Sequence, residues 1–357
     1  MLSAAPAQPE APAVREPREE FVTHCSYLRG FSTIISLASV GHSRAPNVDV
    51  LRGLSAVVQA SQSYASVTRA AITDVNYVGL RRALRNAWGT ELLLASAASH
   101  DDDLVGVANN WSVVQAYYAC YHAVQALTLA RKQPSPKTHD AVRNQYAEMW
   151  VTRGTDGFAP WSLGWQLDQC NNVPADAALP KLYSNLQGSD EDNCWSFAAM
   201  ALKTTRVEPL KKREKNLRRA KKADARKVWQ ATQVVRAKEG KRPTKAPTAL
   251  PYLSADEKTR IDAEFAATSI IDYLLRLRVR SQYKDPTMFT DGPINPWESR
   301  EVHEHLVRIT ASTLLLHEMH IARTISKAQL GTLVQEWLGE GSRAGLGVHQ
   351  RRDLLLD

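Results

Sequence analysis

Apolar side chains recur at helical spacing along almost the whole chain, and this periodicity limits the fold more than any other feature. In the segment 78–99, for example, one helical face carries the large apolar residues Leu80, Leu84, Trp88, Leu92 and Leu94. We find no hairpin signature and no alternating strand of useful length. The periodicity therefore predicts an all-α fold.

Changes in composition divide the chain into segments. An Ala- and Pro-rich start predicts a disordered tail, and Pro, Gly and aromatic residues between two strongly helical regions indicate an insertion. The predicted segments are a tail at 1–20, an N-terminal helical extension at 21–77, a helical region at 78–153, an insertion at 154–255 with a basic helix at 203–245, a second helical region at 256–326, and a C-terminal helix and tail at 327–357. No internal repeat is visible.

Several protein classes are excluded by composition. No apolar run approaches the ~20 residues of a membrane-spanning helix, so we expect no membrane partner. The N-terminal segment lacks the apolar stretch of a secretion signal. The four cysteines form no CxxC pair, which argues against a zinc framework or a small disulfide scaffold. We expect a reducing, cytoplasmic environment.

The positive charge of the chain is concentrated in one place. The whole sequence has 45 Lys and Arg against 37 Asp and Glu, a net charge of +8. The segment 203–245 alone has 17 Lys and Arg against four Asp and Glu, which is +13 and leaves −5 for the remainder. Pro209 before the run, and Gly240 with Pro243 after it, are helix start and stop signals.

Such a basic helix favours a nucleic-acid partner, because concentrated cations attract phosphates without sequence preference. The alternative is a solvated helix with no ligand, and the thin apolar stripe of the segment argues against a membrane-surface role. The candidate nucleic-acid-binding residues of this helix are Lys211, Lys212, Arg213, Arg218, Arg219, Lys221, Lys222, Arg226 and Lys227.

Two motifs carry a family resemblance. The first is AYYACYHAVQAL at 116–127 followed by PKTH at 136–139, and the second is the Arg-rich run LLRLRVRSQYKDP at 274–286. Together, in this order, they resemble the HEPN family of helical bundles, found in ribonuclease toxins, phage-defence effectors and partners of nucleotidyltransferases. The resemblance implies an HEPN-like bundle formed by 78–153 and 256–326, split by the insertion.

The resemblance also implies a site. Active HEPN ribonucleases form dimers, and each copy contributes an Arg and a His to metal-independent RNA cleavage. In this sequence Arg276 and Arg278 match the Arg positions, and Arg280 adds a third candidate nucleic-acid-binding residue. Ser281 stands where the His is expected, and a serine cannot shuttle protons near neutral pH as histidine does.

A substitute for the missing histidine lies at the start of the last long helix. Arg300 and His305 satisfy the family spacing and are the predicted catalytic residues. Residues five apart differ by ~140° around a helix, so the two side chains diverge unless the helix starts between them. A short pattern of this kind also arises by chance.

The remaining histidines support no metal site. His317 and His320 have a metal-ligand spacing, but with only two candidate ligands a surface or interface pair is the preferred interpretation. We interpret His122 as a hydrogen-bonded core residue with Tyr118 as its candidate partner. No phosphate-binding glycine loop is present, so no cofactor and no metal are predicted.

Three functions remain open. The first is a bacterial defence or toxin-type effector that cleaves RNA as a homodimer. The second is a non-catalytic HEPN-like protein that binds nucleic acid, RNA ahead of DNA, or a nucleotide. The third is a helical bundle that docks a protein partner such as an antitoxin. Ser281 favours the second over the first, and the basic segment favours the first two over the third.

Overall fold

The structure of the chain is a computed structural model that describes residues 16–40, 49–97, 101–153, 158–173, 190–339 and 347–356. Over these residues the chain is all-α apart from one two-stranded sheet, which confirms the predicted fold class. Residues 1–15 of the predicted tail lie outside the described residues, whereas residues 17–20 belong to the first helix, so the tail prediction was wrong for these four. None of the helices in these ranges combines the length and the apolarity that crossing a lipid bilayer requires.

The α-helices of the described residues are α1 (Pro17–Val40), α2 (Val50–Ala60), α3 (Gln62–Ala65), α4 (Tyr77–Ala97), α5 (Asp102–Ala130), α6 (His139–Tyr146), α7 (Asp190–Lys238), α8 (Ala255–Ala263), α9 (Ile270–Val279), α10 (Pro296–Ile325), α11 (Lys327–Gly339) and α12 (Val348–Leu356). Short π-helical turns continue α6 over Ala147–Thr152 and α9 over Arg280–Lys284.

Helix α5 lies at the centre of the fold, with α4 and α10 packed along it. Most of its residues beyond Ser112 are buried, and one stripe of Gln115, Tyr118, His122 and Gln125 is half-buried. The Asn109 side chain donates to the Ser299 carbonyl at 2.8 Å, and the Ser112 hydroxyl lies 3.2 Å from His303 Nδ1. These two contacts join the first half of α5 to α10.

Helix α1 belongs to the same core, because it packs against α2, α7 and α10. Phe31 and Ile35 are fully buried. At Gly30 the helices approach so closely that a Cβ atom would lie 2.6 Å from the Cβ of Phe197 in α7. The predicted N-terminal extension is thus an integral layer of the body.

Helix α7 has 49 residues and two unlike halves. Its inner part is buried against α1 through Cys194, Ala198 and Leu202, whereas beyond Arg206 its side chains are half-buried or exposed. The prediction of a helix start at Pro209 was wrong, since this proline lies inside α7. Burial of the inner half stabilises the helix on both sides of the position where proline removes one hydrogen bond.

The outer part of α7, residues 207–238, forms an arm that is roughly 48 Å long at 1.5 Å per residue. The predicted basic helix ends at Lys238 instead of 245, because the chain turns and runs back along the arm. Trp229 Nε1 and Gln233 Nε2 donate to Thr244 Oγ1 at 3.0 and 2.7 Å, and Lys222 donates to the Thr248 carbonyl. We call residues 207–253 the basic arm.

Two further elements differ from the sequence prediction. A hairpin joins β1 (Gly164–Gln166) to β2 (Gln169–Asn171), with Leu167 and Asp168 at φ of 50° and 58°. Sequence inspection missed it because Leu-Asp is not the Asn-Gly type of turn sequence that signals a tight hairpin.

Within the second helical region, helical periodicity over 255–281 suggests one helix, but the structure has two, α8 and α9. The buried Arg206 guanidinium binds the break between them: it donates to the Asp262, Phe265 and Ala266 carbonyls and pairs with the Asp262 carboxylate. Asp272 then accepts from the backbone N–H and hydroxyl of Ser269, both at 2.8 Å, at the start of α9. These contacts stabilise a kinked path that helical periodicity does not show.

A buried ionic cluster attaches the C-terminal helix. Arg351 of α12 is 0% exposed and pairs with Glu91 of α4 and Glu318 of α10. Trp88 Nε1 donates to the same Glu318 carboxylate at 2.7 Å. Arginine suits this position because its planar guanidinium can satisfy two carboxylates at once.

We expect Arg351→Ala to lower the free energy of unfolding by about 3–5 kcal/mol, because two buried carboxylates then lose their counter-charge. The measurement is urea denaturation at pH 7. Arg81→Ala is the matched control, since its pair with Glu336 is exposed and is worth less than about 1 kcal/mol. Equal effects of the two substitutions would contradict this role of Arg351.

Three buried histidines predict acid sensitivity. Burial lowers the pKa of His303 and His320 to about 4 and that of His317 to about 3. Below pH ~6.5 the unfolded chain binds protons that the folded chain does not, so the free energy of unfolding falls as the pH drops from 6.5 toward 4. Urea titrations across this range should show a slope that His317→Gln reduces by ~1.4 kcal/mol per pH unit. An unchanged slope would contradict a neutral, buried His317.

Candidate nucleic-acid interface

The three candidate arginines of α9 and its π-helical turn diverge. Arg276 faces the base of the arm, where its guanidinium donates to Thr204 Oγ1 at 2.7 Å. Arg280 pairs with Glu20 at 2.9 Å and Asp285 at 2.7 Å, so its charge is already balanced. Arg278 lies on another face, with its guanidinium 5.1 Å from the centre of the Tyr118 ring. The structure therefore does not bring the three into one patch.

Arg278 belongs to a compact group of aromatic side chains, which we call the tyrosine–histidine cluster: Tyr117, Tyr118, Tyr121 and His122 of α5, His139 of α6, and Arg278. The His139 ring lies 5.3 to 6.1 Å from the three tyrosine rings. Tyr117 and Tyr121 are buried, whereas Tyr118, His139 and Arg278 are partly exposed. The cluster thus presents a histidine and a guanidinium around one tyrosine ring.

A short contact orients His139. The Tyr117 hydroxyl lies 2.6 Å from His139 Nδ1, and burial raises the pKa of Tyr117 far above neutrality, so the phenol keeps its proton. Burial, followed by the nearby charge of Arg278, lowers the pKa of His139. The lowered pKa favours the neutral imidazole at pH 7.

Arg278 carries the unbalanced charge of the cluster. Arg143, the other guanidinium near His139, pairs with Asp140 and Asp272. The Nε of Arg278, in contrast, is a buried donor that finds no hydrogen-bond acceptor in the described part of the chain. An anion beside Tyr118 would receive a hydrogen bond from Arg278, and one from His139 in the tautomer that carries a proton on Nε2.

Ser281, at the position of the expected histidine, has a structural role. It is 1% exposed and its hydroxyl donates to the Arg278 carbonyl at 3.0 Å. The side chain therefore does not face the tyrosine–histidine cluster as a reactive group.

The predicted catalytic residues Arg300 and His305 contact different neighbours. Arg300 pairs with Asp102 at the start of α5. His305 Nε2 lies 3.5 Å from Glu301, whose carboxylate also pairs with Arg29 of α1. Because α10 already begins at Pro296, both residues lie within its regular turns, and the structure does not place their side chains together. Their catalytic role stays a prediction.

The histidine pair of α10 was misplaced by sequence reasoning. His317 and His320 are 0% and 1% exposed, so the preferred surface or interface interpretation was wrong. His317 Nε2 accepts from Trp150 Nε1 at 3.1 Å, and both Nδ1 atoms contact backbone carbonyls one turn earlier. In the described residues no group of three or more His, Cys, Asp or Glu side chains is arranged to hold a metal ion.

Pairing divides the candidate cations of the basic arm into two sets. Five have partners: Arg213 with Glu264, Arg218 with Glu214, Lys221 with Glu257, Lys222 with the Thr248 carbonyl, and Lys227 with Asp224. Four are exposed and have no hydrogen bond or ion pair with any part of the chain that the structure describes: Lys211, Lys212, Arg219 and Arg226.

Three of the unpaired cations form a row. Lys212, Arg219 and Arg226 are seven residues apart, so they lie on one side of α7 at intervals of about 10.5 Å. The contacts of Lys222, Trp229 and Gln233 with the returning chain at Thr244 and Thr248 occupy an adjacent side of the helix. The row therefore faces solvent along much of the arm.

No protein-family model, no curated protein and no solved structure matches this chain. The HEPN resemblance thus depends on the motifs of α5, α6 and α9, and the side-chain geometry is what separates the candidate functions.

Sequence reasoning missed the meeting of Tyr117, His139 and Arg278. All three lie within the motifs that resemble HEPN, so the signal was present. However, His139 is 22 positions after Tyr117, and Arg278 is 139 positions after His139. Spacing along the chain does not show that residues so far apart share one site.

Replacing Arg278 by Gln should raise the pKa of His139, because a positive charge that disfavours the imidazolium is removed. The measurement is an NMR titration of the His139 ring. Arg260→Gln, at an exposed position of α8, is the control and should leave this pKa unchanged. The same His139 pKa in both variants would show that Arg278 does not act on the ring.

Proposed function

We propose that this protein binds nucleic acid, RNA ahead of DNA, along the backbone and without sequence preference. The observation that carries the proposal is the row of exposed, unpaired cations Lys212, Arg219 and Arg226 on the basic arm. Regularly spaced cations on a rigid helix attract a phosphate backbone, and the release of counterions drives such binding. Neighbouring Lys211 adds a fourth unpaired charge.

The tyrosine–histidine cluster supplies a second contact for the same ligand. Helix α9 links it to the arm, since Arg276 contacts the arm base at Thr204 while Arg278 faces Tyr118. Arg278 and His139 Nε2 are suited to a phosphate oxygen, and the partly exposed ring of Tyr118 offers a stacking surface. Such a pairing of cations with an aromatic ring is typical of single-stranded nucleic-acid sites.

The resemblance to HEPN proteins supports the biological setting that we propose. It favours a bacterial defence or toxin-type effector that acts in the cytoplasm as a homodimer, with an antitoxin or another defence protein as a partner. These points extend the proposal and depend on the motifs at 116–127, 136–139 and 274–286.

Metal-independent RNA cleavage is the second candidate function. The observation that favours it is the presence of a histidine and an arginine, His139 and Arg278, around one partly exposed ring. His139 Nδ1 is occupied by its contact with Tyr117, so Nε2 is the nitrogen that would transfer a proton. Ser281, at the position of the expected histidine, favours binding over cleavage.

The triple substitution Lys212→Gln, Arg219→Gln and Arg226→Gln should weaken binding of a 20-nucleotide RNA about 10- to 100-fold at 150 mM salt. Fluorescence anisotropy measures the affinity, and circular dichroism verifies that the helix remains.

The matched control removes the same charge from partnered positions: Arg213→Gln, Lys221→Gln and Lys227→Gln. We expect an effect below about threefold, because these cations already contact carboxylates. If both triple variants lose the same affinity, net charge alone governs binding and the row has no special role.

If the wild-type protein cleaves RNA in the presence of EDTA, His139→Ala should reduce the rate at least ~100-fold, because a proton-transfer group is lost. His305→Ala should then cleave at nearly the wild-type rate. The reverse result would assign catalysis to the Arg300–His305 pair, and absence of cleavage by the wild type would leave binding alone.

A further inference from the structure

A cavity of about 530 Å³ lies at the end of α5, and no residue of the arm lines it. Its walls come from the segment after α3, the π-helical turn after α6, and the C-terminal part of α10. Arg131 at its rim is 13 residues beyond Tyr118, which corresponds to about 20 Å along α5. The cavity is therefore distinct from the tyrosine–histidine cluster. None of the residues proposed to contact nucleic acid lines it.

The charged residues that line this cavity all have the same sign. They are Arg69, Arg131, Lys132 and Arg153, and no carboxylate is among the lining residues. Two carboxylates lie beside it: Asp74 pairs with Lys132 at 2.6 Å, and Glu148 pairs with Arg153 at 2.6 Å. The cavity therefore has an excess of positive charge even when both neighbours are included.

Among these residues, Arg131 is the half-buried cation that lacks a counter-charge within the described ranges. Its side chain is half-buried and has no hydrogen bond or ion pair with the described part of the chain. Burial, followed by the nearby charge of Arg153, lowers the pKa of Arg131. A guanidinium stays protonated in proteins, so it cannot escape this environment by losing its charge. A bound anion would balance it.

The backbone at the rim supports a functional role for Lys132. Helix α5 ends in a Schellman motif, in which Lys132 N–H donates to the Leu129 carbonyl and Gln133 N–H donates to the Thr128 carbonyl. Lys132 has φ of 60°, a conformation that glycine adopts without cost and lysine does not. The Lys132 side chain lines the rim of the cavity, and its ammonium pairs with Asp74.

The rest of the wall suits more than a bare ion. Trp150 and Phe158 contribute apolar surface, and Trp150 is fixed by its hydrogen bond to His317 and by edge-on contact with His320 at 4.9 Å. A volume of this size, with an apolar wall and a few convergent polar groups, is typical of small-molecule sites.

We propose that this cavity binds a small organic phosphate, with Arg131 and Arg153 contacting the phosphate oxygens and Trp150 and Phe158 contacting the organic part. Arginine is suited to this task because its planar donors match a phosphate group. Lys132 contributes a third positive charge at the rim.

Isothermal titration calorimetry of the full-length protein with ADP, pyrophosphate and adenosine tests the proposal at 150 mM salt. We expect ADP to bind with a Kd below about 1 mM, pyrophosphate more weakly, and adenosine weakest of the three. Failure of both phosphate probes to bind, or equal binding of adenosine and ADP, would overturn it.

Arg131→Gln should weaken ADP binding at least tenfold, and Arg153→Gln provides a second variant whose exposed side chain makes misfolding no concern. The control is Arg260→Gln on α8, which should bind as the wild type does. In thermal denaturation without ligand, Arg131→Gln should leave Tm nearly unchanged, because the arginine side chain makes no hydrogen bond or ion pair with the described residues. Unchanged affinity in both cavity variants would contradict the site.

The arm variant Lys212→Gln, Arg219→Gln and Arg226→Gln separates this inference from the proposed function. It should bind ADP with wild-type affinity even though its affinity for RNA is reduced. Loss of ADP binding in the arm variant, or RNA binding that depends on Arg131 while ADP does not bind, would show that the cavity is part of a nucleic-acid surface.

Discussion

The burial of α5 on nearly every side is the constraint on which the rest of the structure depends. Apart from one half-buried stripe at Gln115, Tyr118, His122 and Gln125, α5 is enclosed, with α4 and α10 along it and α9 on a further side. Tyr118 and His122 of the tyrosine–histidine cluster belong to this stripe, and Arg131 follows the end of the helix. The cluster and the cavity are thus both attached to α5, whereas the row of cations lies on α7.

Among the described residues, positive charges are balanced by carboxylates in the body of the protein, but not all of them are balanced at the candidate sites. In the body, buried arginines have carboxylate partners, as Arg351 has Glu91 and Glu318, and Arg206 has Asp262. Arg278, Arg131 and the row on the arm lack such partners in the described residues. Buried or clustered cations without counter-charges are costly unless a ligand supplies the anion. Unbalanced charge is therefore what distinguishes the candidate sites from the structural ion pairs.

Much of the fold was predictable from sequence, and the errors have physical causes. Strong periodicity predicted α4, α10 and α11 closely, and Thr138, an N-cap residue type, caps α6 by accepting from Ala141 N–H at 3.1 Å. The predicted helix start at Pro209 was wrong, because burial of the inner half of α7 outweighs the loss of one hydrogen bond. The break between α8 and α9 depends on Arg206, 56 residues before Asp262, which local patterns cannot reveal. For the same reason the sequence marked the cations of the arm but not which of them are paired.

The proposed function requires the arm to bind a phosphate backbone. The salt dependence of RNA affinity measures this binding directly. For three phosphate contacts to a single strand, the logarithm of the association constant should fall linearly with the logarithm of salt concentration, with a slope of about −2. The four unpaired candidate cations, Lys211, Lys212, Arg219 and Arg226, together with Arg278 would bring the slope to about −3.5. An affinity that does not change between 50 and 300 mM salt, or no binding at 50 mM, would contradict the account.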